Sequence, residues 1–159
     1  MSQGTTYRHG QSGRLIRILL GIVFAVSVIV FLLVGMAALM MTAIAGLVML
    51  LIGWIFGSLT VTVTLDTLSW WFGPGVWRKR VPLVEIEACE PVRNRWWWGW
   101  GIRYYGKGWL YNVEGLDAVE IRLKSGKHIR VGTDEPEALA NAVRQAGGIA
   151  PARGRGRNQ

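Results

Sequence analysis

At 159 residues the chain has room for one domain, and 51% apolar residues with only 18% charged is greasier than an ordinary soluble domain. Its net charge of +8 is concentrated at the ends, in Arg8, Arg14 and Arg17 near the start and in Arg153, Arg155 and Arg157 of the tail. No recognition helix, zinc module or ribonucleoprotein aromatic motif accompanies that charge, so nucleic acid is not an expected partner and an anionic lipid leaflet is.

Residues 1–13 read as a flexible basic arm. From Ile18 to Gly57 there is no charged side chain, and the only hydroxyls are Ser27 and Thr42. About 20 apolar residues cross a hydrocarbon core, so this stretch suffices for two crossings. A cleaved secretory signal is the rival for its first part, but Ala25-Val26-Ser27 only faintly imitates a cleavage site and the apolar run continues well past it. The expected division is a helix over Arg14–Val34, a turn around Gly35 and a second helix over Ala37–Gly57, with a single partly re-entrant segment as the alternative. Both flanks are basic, the second through Arg78, Lys79 and Arg80, which places both termini of a two-pass hairpin (14–57) in the cytoplasm. The lone Cys89 implies no disulfide framework and reads as a small core residue.

Residues 58–148 read as a β domain with a helix at its end. Leu59, Val61, Val63 and Leu65 alternate with threonines in a strand that follows the second helix with almost no linker. Further strands are expected over Thr67–Phe72, over Val76–Val81 after the Gly73-Pro74-Gly75 turn, around Val84–Cys89, and over Trp109–Val113. Ala118–Lys124 and Lys127–Val131 form a hairpin around Ser125-Gly126. Asp134 as N-cap, Pro136 and Glu137 announce a helix whose apolar face is Leu139, Ala142, Val143 and Ala146, ended by Gly147 and Gly148. About seven short strands with one amphipathic helix suit a small barrel or sandwich with one open end, the helix covering that end. Residues 149–159 form a flexible basic tail.

The runs GIR at Gly101–Arg103, GWLYNV at Gly108–Val113 followed by Gly115, AVEI at Ala118–Ile121 and GTDEP at Gly132–Pro136 resemble the cytoplasmic part of bacterial inner-membrane proteins with a pleckstrin-homology-like domain. The resemblance implies a fold of seven strands with a capping carboxy-terminal helix behind one or two membrane spans. It implies a binding or scaffolding role and no enzymatic activity or cofactor. Eukaryotic relatives grip phosphoinositides through basic residues around the first hairpin loop. Arg78, Lys79 and Arg80 follow a comparable turn here, whereas the first strand lacks a lysine.

Chemistry is thinly provided. There is no metal motif, serine elbow or phosphate loop. His9 lies in the arm, His128 sits on the hairpin without an evident partner, and Glu85 and Glu87 have Arg78, Arg80, Arg93 and Arg95 as ion-pair candidates. The outstanding feature is NRWWWGWGIRYYGKGW over Asn94–Trp109. Tryptophan is favoured at the headgroup level, where the ring is sheltered and the indole N–H stays hydrated. An extended segment would aim Trp96, Trp98 and Trp100 one way and Trp97 the other. Trp100 and Trp109 are expected in the core. Trp96, Trp97 and Trp98, with Arg78, Lys79, Arg80, Arg93 and Arg95, are expected to form a membrane or partner surface. The sequence therefore predicts a membrane-held scaffold that binds lipid or a protein partner, with self-association through glycines such as Gly46, Gly53 and Gly57 as a further expectation. The alternative is an accessory subunit of a transporter or membrane enzyme whose catalytic residues lie in another chain.

Overall fold

The computed structural model describes residues 5–99 and 101–150 of the chain. It is an α+β protein: a pair of long apolar helices, two sheets packed face to face, and a carboxy-terminal helix. In chain order, strand β1 (Thr5–Ser12) leads into helices α1 (Arg14–Val34) and α2 (Met36–Phe56). Strands β2 (Ser58–Thr64), β3 (Thr67–Phe72), β4 (Val76–Pro82), β5 (Ile86–Arg93), β6 (Gly101–Tyr104), β7 (Gly108–Asn112), β8 (Asp117–Leu123) and β9 (His128–Gly132) follow, and helix α3 (Pro136–Gly147) comes last.

The first sheet has the order β1-β2-β3-β4, antiparallel throughout. The second has the order β5-β8-β9-β7-β6 and is antiparallel except where β7 runs parallel to β9. The alternation read in the sequence sets the inner faces. Leu59, Val61 and Val63 of β2 are buried and their intervening threonines are not, and Val119, Ile121 and Leu123 of β8 face the same core. Trp70 and Phe72 of β3 and Tyr111 of β7 fill the space between the sheets, Trp70 meeting Tyr111 edge-on at 5.4 Å. Helix α3 inserts Leu139 and Val143 and packs on β5, β8, β1 and β2, so it closes the seam where the edge strands β1 and β5 approach. Ile149, just past the left-handed Gly148 cap, packs on the core and is not part of a free tail; residues 151–159 of the expected tail lie outside the described residues.

The helix pair is inserted within the antiparallel β1–β2 pair. Gly13 alone joins β1 to α1 and Gly57 alone joins α2 to β2, and the Gly13 N–H donates to the Gly57 carbonyl at 2.8 Å. The ladder runs up to the helices, Ser12 pairing with Ser58. At the far end Gly35, with φ +72°, reverses the chain between α1 and α2 in a conformation that side chains resist. The start of α1 is fixed by the β7–β8 turn, where the Glu114 carboxylate accepts from the Arg14 N–H at 2.6 Å. A negative charge at a helix amino terminus is favourable, and the helix has no acid of its own there. The base of α2 rests on the β3–β4 turn: a Cβ on Gly73 would run into the carbonyls of Trp54 and Ile55.

Two expectations are corrected here. The arm is not free over its whole length, because Thr5–Ser12 is the edge strand of the first sheet; Tyr7 donates to Glu135 at 3.1 Å and His9 meets Asp134 at 2.6 Å. Nine strands, not seven, occur among the described residues, β1 and β6 being the additions. In addition Glu135, not Asp134, occupies the cap position of α3, since Asp134 is engaged with His9.

Of the described residues, Ile16–Val34 is the one helical stretch long and apolar enough to cross a membrane, and none of it is buried within the protein. Met40–Phe56 is a shorter apolar stretch. Phe24, Leu33 and Met41 are each more than 70% exposed, an apolar surface that monomeric soluble proteins rarely present.

Candidate functional site

The tryptophan-rich segment leaves and re-enters the second sheet at the end nearest the helices. Asn94 N–H donates to Leu116 O at 2.6 Å beside the turn that holds Glu114, and Gly101 pairs with Asn112. Between them Trp96–Trp98 form a 3-10 turn and not an extended strand, so the expected row of Trp96, Trp98 and Trp100 is not formed as drawn. Trp100 lies outside the described residues.

The reason for the turn is Arg130. Its guanidinium lies 5.0 Å from the Trp98 ring and 4.6 Å from Tyr105, donates through Nε to Glu120 at 2.7 Å, and donates to Asn94 Oδ1 at 3.1 Å. Trp98 is thereby laid on the outer face of the sheet, half-buried, while Trp96 stays 73% exposed and Trp97 56% exposed. Those two rings meet edge-to-face at 5.7 Å, with Arg95 over Trp97 at 5.0 Å. Trp109, expected in the core, is exposed and packs against Tyr104.

The basic run on β4 is divided by the pleat. Arg78 and Arg80 point away from the core, Arg78 stacking on Trp71 at 4.6 Å, while Lys79 shares the inner face with Trp77 and Val81. Arg93 is exposed at the end of β5 near the tryptophan turn. Thus Arg93, Arg95, Trp96 and Trp97 are brought together, whereas Arg78, Lys79 and Arg80 lie on the other sheet, on both its faces.

Lys79 opens onto a cleft that the sequence did not announce. Opposite the seam sealed by α3, the edges β4 and β6 diverge around a space of about 590 Å³. Trp70, Val81, Ile102, Tyr111 and Ile129 make its apolar floor, and Lys79, Lys107 and Lys127 stand on its rim. Its lower end adjoins a second hollow formed by Phe56 of α2, Trp77, Gly101, Ile102 and Trp109. Trp77 holds φ +54° and, 58% exposed, lines both hollows. For a bulky residue this conformation is strained by about 1–3 kcal/mol.

The titratable groups make structural contacts. Burial pushes the Cys89 thiol up to about 12, so it stays protonated and inert. Burial alone would raise Glu120, but hydrogen bonds from His128 and Arg130 and their charges outweigh it and hold its carboxyl below the usual value. His128 therefore has a partner after all, Glu120 at 2.8 Å. Glu87 pairs with Arg122 at 3.3 Å and with none of the arginines expected of it. Among the described residues no group of three His, Cys, Asp or Glu side chains is arranged to hold a metal. No protein-family model, curated protein or solved structure matches the chain.

Proposed function

We propose that this chain is a non-enzymatic, two-pass protein of a bacterial inner membrane that holds a pleckstrin-homology-like domain against the cytoplasmic leaflet, where the domain binds lipid or a protein partner. The observation that carries this is the pair of single-residue joints, Gly13 and Gly57, at the end of a continuous β1–β2 ladder. Paired strands lie on one side of a membrane, so if α1 crosses, α2 returns. Each helix has 21 residues, about 31 Å at 1.5 Å per residue, against a hydrocarbon core of about 30 Å.

Two packed sheets with one seam covered by a carboxy-terminal helix favour the pleckstrin-homology-like reading. The split first strand pair and the parallel β7–β9 contact are departures from a simple version of it. With the joints so short, the β domain rests at the headgroups, and the tryptophan turn at its helix-proximal end presents Trp96, Trp97, Arg93 and Arg95 there. Exposed Trp and Arg suit that level of a bilayer.

The test is topology. Reporter fusions at each terminus are expected to be active only as cytoplasmic reporters, and carbonate washing is expected to leave the chain in the membrane fraction. A terminus exposed outside the cell, or release by carbonate, would overturn the reading.

A further inference from the structure

We infer that the open seam between β4 and β6 is a binding site for a single anionic phospholipid of the adjoining leaflet, one acyl chain lying along the apolar floor and the headgroup held at the lysine rim. The inference rests on the membrane-surface reading above and gives that surface a ligand and a place to bind it.

The cleft has two unlike ends. Toward the helices it adjoins the second hollow, which shares Trp77, Ile102 and Trp109 with it and reaches Phe56, the last residue of α2. Away from the helices it ends among Lys79, Lys107 and Lys127. None of these three lysines forms an ion pair among the described residues, and no carboxylate lines the cleft. Cations without a neighbouring carboxylate beside an apolar floor are complementary to an anionic headgroup joined to an acyl chain. The span suits the part of an acyl chain nearest the headgroup: the β6 strand from Gly101 to Tyr104 climbs about 10 Å at about 3.3 Å per residue. The volume, about 590 Å³, lies inside the roughly 300–1,000 Å³ usual for small-molecule sites.

An independent observation comes from the floor. Trp70 is 1% exposed and lines the cleft, yet its indole Nε1–H has no acceptor among the described residues. Buried donors are satisfied in nearly all proteins, so a donor left over in a residue of the cleft wall marks a place where a ligand oxygen would be accommodated. A lipid ester carbonyl, lying between chain and headgroup, is an acceptor at the right depth. Lys79 pairs in register with Trp70 on the neighbouring strand, which sets the cation beside that donor. An acidic peptide strand could also meet the lysines, but it would leave unexplained why the apolar floor runs down to the membrane end of α2.

The experiment uses the full chain in nanodiscs of phosphatidylcholine with or without phosphatidylglycerol. Each disc carries a trace of the matching lipid with a photoactivatable group on its acyl chain, and labelled peptides are mapped by mass spectrometry. The expected result is labelling of the peptides containing Trp70, Val81 or Ile102 by the phosphatidylglycerol probe, reduced about fivefold for each cation removed by Lys79→Gln or Lys107→Gln. These lysines are exposed rim residues, and an unchanged circular-dichroism melt verifies that the variants fold. Ile102→Trp, which fills the floor, is expected to abolish cleft labelling while leaving label on α1 and α2. Label confined to the helices would overturn the lipid site and leave the membrane anchor standing. No label anywhere would overturn both. Equal cleft labelling by the phosphatidylcholine probe would overturn the assignment of the lysines to the headgroup. A photoprobe at Trp109 that captures a protein and no lipid in intact cells would overturn the inference in favour of the peptide strand.

Discussion

Replacing Arg130 by methionine tests how the tryptophan turn is held. The guanidinium is 14% exposed and its partner Glu120 19%, so the pair is sheltered without being fully desolvated. Methionine keeps the apolar stem of the side chain and removes the charge-assisted bond to Glu120, the bond to Asn94 and the stacking on Trp98 and Tyr105. The bond to a charged group is worth about 1.5–3 kcal/mol net, and the ring contacts about 0.5–1 kcal/mol at partly exposed sites. Allowing for solvent that screens the stranded carboxylate, Arg130→Met should cost about 2–4 kcal/mol. Adding Glu120→Gln, which removes that carboxylate, should recover roughly half the loss, a coupling expected of contacting residues. The assay is urea unfolding of the full chain in mild detergent, followed by far-ultraviolet circular dichroism for the strands and near-ultraviolet circular dichroism for the rings. The near-ultraviolet signal of the folded protein should weaken as Trp98 comes loose. A change within about 0.5 kcal/mol, the range of an ordinary surface substitution, with an unaltered near-ultraviolet spectrum would refute the account.

The same carboxylate gives a pH dependence. Because the folded state holds Glu120 below its usual 4.5, its contribution is complete above that value and is lost as the pH falls through the lowered one; Glu120→Gln should flatten the acid side of the stability profile, measured by urea midpoints. Trp96→Ala and Trp97→Ala, at exposed rings, should leave the unfolding midpoint nearly unchanged, whereas Trp98→Ala should lower stability by about 1–3 kcal/mol; equal effects at all three would contradict the arrangement of the turn. Cys89 should resist maleimide in the native protein at pH 8 and react promptly in denaturant, as mass spectrometry would show.

The parts of the fold that declared themselves in the sequence did so through uninterrupted patterns. The helix pair, with α1 bounded at Arg14 and Val34 as read, stands on a run without charges, and the β8–β9 hairpin stands on Val119, Ile121 and Leu123 alternating with polar residues around Ser125-Gly126. Strand β1 is hidden because its alternating sheltered residues are Tyr7, His9 and Gln11, which carry no apolar signature, and because its partner lies beyond both helices. The 3-10 turn at Trp96 is set by an arginine on β9, a contact that no local pattern encodes. The cleft depends on which two strands end up as sheet edges, a property of topology, so Lys79 read as one of three neighbouring cations when the pleat in fact parts it from Arg78 and Arg80. Trp77 gave no warning of its positive φ, since glycine is the usual marker of such a position and the glycine lies two residues earlier.

The strand pair that brackets the helices has a bearing on how the protein is made. Residues 5–12 leave the ribosome before either helix, yet their neighbour in the sheet, 58–64, is synthesised only after both. The first sheet can be completed only when the two ends of the apolar segment have been delivered to the same compartment. Under the proposed two-pass topology a mis-inserted chain would keep an unpaired edge, open to quality-control proteases, and assembly of the β domain would double as a proofreading step for insertion.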